Sequence, residues 1–581
     1  MKLSKMSVSN FRSIKDSTVT FKEITAIVGE NNAGKTALLR ALNSVFNWQL
    51  EDKFFLDNTH QYTPRTSTTI TLVFEGIPDK ECYKDKTINN EMTIIFTYAY
   101  GKKRKTLSYK TQQGTQSLDS SFIEQLKEDI DYIYIPASRS NNDLIWTNDS
   151  IFKRLLEAYS KYHNKKRDNI SSKVETVANT FRNTVLSKLE TRIRNSSMLS
   201  SNDKYNLKFD SSIDYTIFLN KVILTLFNNN QDFPITEYGS GITSLTVIAL
   251  YRELAQIEGR NVILGIDEPE TNLHPQAQKK LISSIKENRQ STEIQAIMST
   301  HSTVIIDELE HNNIILATKQ ADNKRGFYTA YSQLSDDFWE KYNLDEYKHH
   351  NFFKLKNSDF FFSRFVILTE SPTDEFVISH LIEDGIEDKK FYISILNIDG
   401  CKNLKYPYFL LKSLNIPFSI VIDHDVITNY KNYNLKSSRD EQTQLPLYKN
   451  DLKTNNPAIN DLWNSNEDKN LLKQAINSSY TKLFDFCSQK RVYVMKYCLE
   501  MDLVDNDSTR KKYCDILNIP FDNSNSYKTL LIDNKDNIKH ITNIKQVILS
   551  TSSTEYPYSY KKIRKNIIDD ICSVLEERNK L

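Results

Sequence analysis

The sequence predicts an α/β protein built from two domains. Its 581 residues are about four times the length of a typical single domain. Short apolar runs that end in glycines or carboxylates alternate with helical runs, a pattern typical of parallel sheets that gather ligands at the carboxyl ends of their strands. Two such series are separated by a polar, aromatic stretch. We therefore place one domain at residues 1–345 and a second at residues 346–581.

The composition excludes several classes of protein. Lys and Arg number 76 against 74 Asp and Glu, so the net charge of +2 gives no argument for nucleic-acid binding by itself. No apolar run approaches the roughly 18 residues that indicate a membrane span. The N-terminus has no apolar segment of the secretory type, and the six cysteines lack paired short spacing. We expect a cytoplasmic protein with reduced thiols and no zinc site.

The first motif is Gly29-Glu30-Asn31-Asn32-Ala33-Gly34-Lys35-Thr36, which fits the Walker A pattern G-x-x-x-x-G-K-[ST] completely. A strand-like apolar run precedes it and a helical run follows it. In this context backbone amides cradle phosphates, Lys35 reaches the β and γ phosphates, and the Thr36 hydroxyl holds Mg²⁺. The motif therefore predicts an ATP and Mg²⁺ site. Its expected nucleotide-binding residues are Gly29, Asn31, Asn32, Gly34, Lys35 and Thr36.

A second motif lies at the end of the apolar run 261–266, where Asp267 and Glu268 follow one another. This is a Walker B pattern, in which Asp267 holds the Mg²⁺ shell and Glu268 polarises the attacking water. Glu270-Thr271-Asn272-Leu273-His274-Pro275 follows at once. A further apolar run, 294–298, ends in Ser299-Thr300-His301-Ser302.

The order of these motifs resembles the ABC-type ATPases of the SMC, Rad50 and RecF group. The resemblance implies that His301 senses the γ phosphate. It also implies a signature loop before Walker B, and the segment 237–242 supplies one, with Ser240 and Gly241 facing ATP on an opposite chain. Because one chain has one Walker A and one signature, at least a homodimer is implied. Gln61 is a candidate for the Q-loop, and Arg139 is either a phosphate contact or half of a structural ion pair.

A helical insertion is predicted at about residues 145–230. Residues 150–197 lack glycine and proline, and Val174, Val177, Phe181, Val185 and Leu189 recur at helical spacing. The segment is either a helix packed on its own domain or an arm used in dimerisation. We favour the dimerisation arm.

The second domain carries a different set of acidic residues. The strand-like run 365–369 ends at Glu370, and the run 417–422 ends in Asp423-His424-Asp425. In a parallel sheet these carboxylates converge on one edge. Crowded carboxylates with few bases need a cation, and hard oxygen ligands suit Mg²⁺ or Mn²⁺. The pattern predicts a divalent metal site.

This arrangement resembles a Toprim domain, although Ser371 stands where many members have glycine. The resemblance implies that Glu370 and Asp423 are catalytic, that two metal ions are bound, and that a distal lysine assists. Lys565 is the best match for that lysine, but it lies in the basic run 561–565, which equally suits a phosphate-binding helix face. The metal candidates are Glu370, Asp374, Asp423, Asp425, Glu500 and Asp502.

An ABC-type ATPase followed by Toprim resembles the OLD (overcoming lysogenization defect) nucleases, a family that includes the Gabija nuclease subunit. It implies an ATP-regulated, metal-dependent endonuclease that cuts double-stranded DNA in antiphage defence. A helicase, or a retron reverse transcriptase with its DNA, is a possible partner by the same resemblance. The alternative is a DNA-binding repair ATPase with a non-cutting Toprim scaffold. A topoisomerase is disfavoured because no tyrosine is marked as its nucleophile.

Overall fold

The computed structural model describes the chain except residues 120, 140, 146–149, 163, 190, 192–215, 220, 229–230, 259, 288–293, 324, 355, 357, 454, 523–524 and 580–581. It divides into two compact units. Unit 1 comprises Met1–Ile27 and Lys35–Glu308, and unit 2 comprises Val28–Gly34 and Leu309–Leu581. The sequence-based boundary between residues 345 and 346 stays a prediction.

Unit 1 contains an antiparallel sheet with the strand order β2-β1-β4-β6-β7-β8, and β5 pairs with β6. Alternation of buried and half-buried residues along β4 puts Ile70, Leu72 and Phe74 on the core face. The strands are β1 Lys2–Phe11, β2 Ile14–Thr20, β4 Thr68–Glu75, β5 Thr87–Ile88, β6 Glu91–Ala99, β7 Arg104–Thr111 and β8 Gly114–Leu118.

A parallel sheet forms the other layer of unit 1 and positions the nucleotide motifs. Its strands are β3 Ile24–Val28, β9 Ile130–Ile135, β12 Asn261–Asp267 and β13 Ile294–Ser299, in the order β3-β13-β12-β9. Because all four run in the same direction, the residues after β12 and β13 emerge at one edge, where helix α1 (Lys35–Phe46) also begins.

The remaining elements of unit 1 are mainly helices. They are α2 Trp48–Leu56, α3 Glu81–Lys84, α4 Phe122–Lys127, α5 Ile151–Tyr162, α6 Asn164–Phe181, α7 Thr216–Leu219, α8 Ser240–Glu258, α9 Pro275–Glu287 and α10 Thr303–Asp307, with the hairpin β10 Thr225–Asn228 and β11 Gln231–Pro234. The predicted insertion is helical over α5 and α6. Part of the predicted range 145–230, including residues 192–215, lies outside the described residues.

Unit 2 opens with an antiparallel hairpin, β14 Ile314–Asp322 and β15 Gly326–Gln333. Its central sheet is parallel, with the order β17-β16-β18-β21, and consists of β16 Phe365–Thr369, β17 Ile393–Asn397, β18 Phe418–Ile422 and β21 Val492–Val494. A short antiparallel pair, β19 Thr428–Tyr430 and β20 Tyr448–Leu452, follows β18. The predicted α/β class and second parallel sheet are thereby confirmed.

Helices cover the unit 2 sheet. Buried apolar residues of the strands pack with helices from the C-terminal segment in one core that includes Ile367, Val377, Ile563 and Ile567. The helices are α11 Phe338–Lys341, α12 Glu346–Lys354, α13 Pro372–Glu383, α14 Lys405–Ser413, α15 Pro457–Leu462, α16 Asn466–Ser478, α17 Tyr480–Ser488, α18 Leu499–Asp505, α19 Asp507–Leu517, α20 Asn525–Lys528, α21 Lys535–Lys539, α22 Ile541–Leu549 and α23 Tyr558–Asn579. Within the described chain, every helix is too short or too polar to cross a lipid bilayer.

Candidate functional site

The Walker A loop has a backbone that its glycines and Asn32 permit. Gly29, Asn32 and Gly34 have φ values of 144°, 59° and 95°, and Asn31 and Asn32 are exposed. A Cβ on Gly29 would lie 2.2 Å from the carbonyl oxygen of Ala317, so glycine is required there on both steric and conformational grounds. The loop is thus held in the strained form typical of phosphate-binding turns.

Lys35 and Thr36 follow this loop at the start of α1. Lys35 is 5% exposed, and its Nζ lies 3.4 Å from Nδ1 of His301. The Thr36 hydroxyl donates to Oδ1 of Asp267 at 2.9 Å. The structure therefore brings the predicted Mg²⁺-binding pair Thr36 and Asp267 into direct contact, although they are far apart in sequence.

Glu268 and His301 lie beside each other in this site. Glu268 has a φ of 44°, and its amide donates to the Ser299 carbonyl at 3.0 Å. Nε2 of His301 lies 4.0 Å from Oε1 of Glu268. Burial, and then the charge of Lys35, lower the pKa of His301 to about 4. The imidazole is therefore neutral at physiological pH and can both donate and accept a hydrogen bond.

Three side chains to which the motifs assign no role of their own hold this arrangement in place. Tyr134 donates to Oδ2 of Asp267 at 3.1 Å, and Glu270 accepts from the His301 amide at 2.6 Å. The Ser299 hydroxyl also donates to Oδ1 of Asp267. No local pattern identifies Tyr134 or Ser299, since each occupies an ordinary strand position.

Arg139 contacts the backbone in this structure, and its roles as a phosphate contact or as half of an ion pair stay predictions. Its guanidinium donates to the carbonyl oxygens of Asp267 at 2.7 Å and Glu268 at 3.4 Å. Both acceptors are backbone atoms, so Arg139 fixes the course of the chain through the Walker B turn. Gln61, the Q-loop candidate, is 1% exposed and donates to the Phe55 carbonyl at 3.3 Å. Its Q-loop assignment stays a prediction.

The signature segment lies at the N-terminus of α8. Ser240 is exposed and opens the helix, so the positive end of the helix dipole is presented outward. A Cβ on Gly241 would lie 2.6 Å from the carbonyl oxygen of Asn272. The segment that follows Walker B therefore packs directly against Gly241, and only glycine permits this approach.

A cluster of five carboxylates, here called the acid cluster, lies at the ends of the parallel strands of unit 2. Glu370 follows β16, and Asp423 and Asp425 follow β18. Asp374 lies in the first turn of α13, and Glu500 lies in the first turn of α18, just beyond β21. The parallel topology brings the strand ends that carry Glu370, Asp423 and Asp425 to one edge of the sheet, as the sequence predicts for these three.

The carboxylates of the acid cluster perturb one another. Burial and the charges of Asp425 and Asp374 raise the pKa of Glu370 to about 7. Burial and the charge of Glu500 raise the pKa of Asp374 to about 6. Burial, followed by the four other cluster charges, raises the pKa of Asp423 well above its usual range. Shifts of this direction are those expected of carboxylates that repel one another in a poorly solvated setting.

The acid cluster offers the type of donor atom that a divalent cation prefers. Oε2 of Glu370 is buried and accepts no hydrogen bond from the described residues, which leaves a carboxylate oxygen without a partner. Carboxylate oxygens are the ligands that Mg²⁺ and Mn²⁺ prefer. Ser371 caps α13 and its hydroxyl donates to Oδ2 of Asp374 at 2.8 Å, so the departure from glycine at this position leaves the acids in place.

Asp502, another predicted metal ligand, is occupied by hydrogen bonds from the chain. Asp502 is 2% exposed, and its carboxylate accepts from the amides of Lys496 at 3.0 Å and Tyr497 at 2.7 Å and from the Ser559 hydroxyl. Burial raises the pKa of Asp502 to about 7. These bonds fix the turn between β21 and α18, and the role of Asp502 as a metal ligand stays a prediction.

The predicted lysine also lies elsewhere. Lys565 is exposed on α23, and the described residues show no ion pair between it and the acid cluster. Lys539, at the end of α21, instead pairs with Oε1 of Glu500 at 2.9 Å. The charge of Glu500 raises the pKa of Lys539. Lys539 does not belong to a sequence motif. Its contact with Glu500 is therefore seen only in the folded structure.

Two family models match parts of the chain. A profile of the AAA ATPase domain family matches residues 1–130 and 79–306, which together exceed half of the chain. A profile described as overcoming lysogenization defect protein-like, TOPRIM domain, matches residues 361–425. The second range contains Glu370, Asp374, Asp423 and Asp425.

Three relatives show how far the likeness extends. Endonuclease GajA of Bacillus cereus is 26% identical over 303 residues, 47% of this chain and 44% of GajA, so the match spans less than half of that relative. The Old nuclease of Escherichia phage P2 is 25% identical over 475 residues, 74% of this chain and 78% of that protein. The OLD nuclease of Thermus scotoductus is 24% identical over 461 residues, 73% of this chain and 82% of that protein.

One solved structure is also similar. It is an SMC head bound to the C-winged helix domain of ScpA, with a TM-score of 0.38 and 15% identity, covering 57% of this chain and 99% of that one.

Proposed function

The chain belongs to the AAA ATPase domain family and carries an overcoming lysogenization defect protein-like TOPRIM domain, and from this premise we propose that it is an ATP-regulated, divalent-metal-dependent DNA endonuclease. The domains make it an ATPase joined to a nuclease. Two relatives named as nucleases align with about three quarters of it.

The acid cluster is the observation that carries this proposal. Glu370, Asp423 and Asp425 follow adjacent parallel strands, and the charges of Asp374 and Glu500 help to raise the pKa of Asp423. Glu370, Asp374, Asp423, Asp425 and Glu500 would hold the metal. A divalent cation bound there supplies an activated water and stabilises the leaving oxygen of a phosphodiester.

The chain's own groups around the cluster support this chemistry. Lys539 brings a positive charge to Glu500, and the Lys453 ammonium donates to the carbonyl oxygen of Asp425 at 2.7 Å. These cations partly offset the repulsion between the carboxylates. They would also reduce the repulsion between the acid cluster and the negative charge of a DNA phosphate.

In the nucleotide site, Gly29, Asn31, Asn32, Gly34, Lys35, Thr36 and Asp267 would hold ATP with Mg²⁺. Glu268 would accept a proton from water, and the neutral His301 beside it would orient that water and sense the γ phosphate. The hydrogen bond between Tyr134 and Asp267 and the bonds from Arg139 keep both carboxylates in position. We propose that hydrolysis at this site regulates cutting in the acid cluster.

We propose that the working unit is a homodimer or a larger homo-oligomer. The outward-facing Ser240 and the helix N-terminus behind it are suited to the nucleotide of a second copy. On the predicted arm, Val177, Phe181, Val185 and Leu189 are 68%, 48%, 48% and 44% exposed and recur every four residues. An exposed apolar stripe of this kind favours association of the arms.

The biological role is part of the same proposal. The resemblance to OLD nucleases favours a role in antiphage defence, with double-stranded DNA as the substrate. A helicase, or a retron reverse transcriptase with its DNA, stays a predicted partner.

A plasmid assay on the purified full chain tests the proposal. We expect nicking of supercoiled DNA with Mg²⁺ or Mn²⁺, loss of nicking in EDTA, and a different rate when ATP is present. Asp423→Asn should reduce nicking at least about 100-fold, because substitutions of groups that merely support metal ligands already cost about 10–100-fold. ATP hydrolysis by this variant should persist.

Asp388→Asn is the matched control, since Asp388 is an exposed acid of the same unit that lies outside the cluster. Its nicking should equal that of the wild type. DNA binding and ATP hydrolysis without nicking by any divalent ion would instead support the repair ATPase.

A further inference from the structure

A short hairpin follows the acid cluster directly. It spans residues 428–453, here called the basic hairpin, and its strands β19 and β20 pair Thr428 with Leu452 and Tyr430 with Tyr448. A second antiparallel bridge joins Arg439 and Pro446 farther out. The basic hairpin therefore extends from the cluster as a defined element.

The base of the basic hairpin is fixed to a predicted metal ligand. The Tyr430 hydroxyl donates to Oδ2 of Asp425 at 3.0 Å, and Lys453 donates to the Asp425 carbonyl at 2.7 Å. The Tyr448 ring stacks on the rings of His424 at 4.2 Å and Tyr430 at 5.3 Å between centroids. Both strands thus hold Asp425, and the position of the hairpin is coupled to that of the cluster.

The outer part of the basic hairpin presents an aromatic ring beside a cation. Tyr433 is 72% exposed, and its backbone is held by a φ of 59° and by a bond from its amide to the Tyr430 carbonyl at 2.9 Å. Nζ of Lys449 lies 3.2 Å from the centroid of the Tyr433 ring. The ammonium group therefore braces the ring through a cation–π contact.

The charges near this ring suit a polyanion. Lys431 and Lys436 are exposed on either side of Tyr433. The hairpin also contains the acids Asp440, Glu441 and Asp451. Oδ1 of Asp440 accepts hydrogen bonds from the backbone amides of Gln442 at 3.0 Å and Thr443 at 2.8 Å. Lysines and an exposed aromatic ring thus lie on a hairpin whose base contacts Asp425 of the carboxylate cluster. The cluster by itself repels DNA.

We propose that the basic hairpin holds the DNA strand beside the cut, with the Tyr433 ring stacked on an unpaired base and Lys431 and Lys436 on its phosphates. This proposal rests on the proposed nuclease function, since it assumes that the acid cluster acts on DNA. It narrows the substrate to DNA with at least one unstacked base near the cut, because the bases of an intact duplex cannot stack on a side chain.

Fluorescence anisotropy with the full chain in Ca²⁺ tests the stacking, using a labelled 20-nucleotide single strand, a blunt duplex and a duplex with a three-nucleotide bulge. Tyr433→Ala should weaken binding of the single strand and the bulged duplex about 10-fold, the size expected for loss of one stacked base. The blunt duplex should bind as it does to the wild type. Tyr433→Phe should retain wild-type affinity because the ring is kept.

Phe391→Ala is the matched control. Phe391 is 83% exposed, and Lys390 lies 5.7 Å from the centroid of its ring, but it lies on a different loop of unit 2. Its substitution should leave all three affinities unchanged. Equal losses in Tyr433→Ala and Phe391→Ala, or an equal loss on blunt and bulged DNA, would overturn the stacking role.

The phosphate contacts have a separate readout. Lys431→Ala/Lys436→Ala should make the slope of log affinity against log salt for the single strand shallower by about 1.4, since two phosphate contacts are lost. An unchanged slope contradicts the assignment of these lysines.

The nicking assay separates this proposal from the proposed function. Tyr433→Ala should nick bulged DNA about 10-fold more slowly at subsaturating DNA while its ATP hydrolysis is unchanged. If the wild type nicks DNA and Tyr433→Ala matches it in binding and nicking, the hairpin proposal fails while the nuclease stands. If the wild type binds DNA through Tyr433 but never nicks it, the nuclease fails while the hairpin contact stands.

Discussion

The nucleotide site and the acid cluster differ in how their carboxylates are neutralised. Asp267 accepts hydrogen bonds from Thr36, Tyr134 and Ser299. In the acid cluster, Glu370 and Asp423 face other carboxylates, and burial raises the pKa values of both groups. In the first site, hydroxyl groups of the chain neutralise Asp267 through hydrogen bonds, whereas the carboxylates of the second need a cation or protons. The difference predicts that removal of divalent metal changes the protonation and stability of the acid cluster more than those of the nucleotide site.

The largest expected effect in the nucleotide site comes from Glu268. Glu268→Gln should lower ATP hydrolysis about 100-fold, because general-base catalysis typically contributes that much or more, while ATP binding persists. Lys35→Ala should instead weaken binding, since it removes the cation next to His301. Binding of a fluorescent ATP analogue and phosphate release distinguish the two variants. Hydrolysis at the wild-type rate in Glu268→Gln would contradict its placement as the base.

A second test concerns which lysine serves the acid cluster. Lys539→Gln should lower the maximal nicking rate about 10-fold, because electrostatic groups beside a reacting phosphate contribute at least this much. Half-saturation by Mg²⁺ should shift to lower concentrations, since a competing cation is removed from Glu500. Lys565→Gln should stay within about twofold of the wild type. If Lys565→Gln is the defective variant, the lysine predicted by family resemblance is the functional one.

Stability against pH sharpens the contrast between the two sites. The raised pKa values of Glu370, about 7, and Asp374, about 6, mean that the metal-free folded protein binds more protons than the unfolded chain. Its stability is therefore lost as the pH rises through these values. Asp423→Asn removes one charge and should stabilise the metal-free protein at pH 8 on the order of 1 kcal/mol, or about 2 °C in melting temperature.

The same gain should shrink at pH 5, where Glu370 and Asp374 are protonated in the wild type. Mg²⁺ at pH 8 should raise the melting temperature of the wild type and have a smaller effect on Asp423→Asn. Differential scanning fluorimetry measures both quantities. A variant that is destabilised equally at pH 5 and pH 8 would show that Asp423 is a structural acid.

Much of the fold and of both sites follows from local sequence patterns. The Walker motifs predict that Thr36 and Asp267 meet, and apolar strands ending in acids predict the convergence of Glu370 with Asp423, because parallel strands share one edge. The contacts of Tyr134 and Lys539 could not be predicted in the same way. Each contact depends on packing between segments that are distant in sequence. Neither Tyr134 nor Lys539 belongs to a sequence motif whose spacing would predict its partner.

The smallest expected effect concerns an ion pair within unit 2. Arg364 precedes β16, whose end carries Glu370, and its guanidinium donates to both carboxylate oxygens of Glu30 in the Walker A loop, at 2.7 and 3.0 Å. It also lies 4.3 Å from the centroid of the Tyr392 ring. The pair therefore connects the loop expected to bind ATP with a strand that leads to the acid cluster.

Arg364→Met should change the ratio of nicking rates with and without ATP by about 2–3-fold, because partly exposed ion pairs contribute about 1 kcal/mol or less. Glu30→Gln should change it equally, and the double variant should add nothing further, since both substitutions break one interaction. The control is Asp461→Asn, which breaks the ion pair with Lys412 in the same unit and should leave the ratio unchanged. Additive effects of Arg364→Met and Glu30→Gln would mean that the residues act separately. The two sites would then communicate by another route than this ion pair.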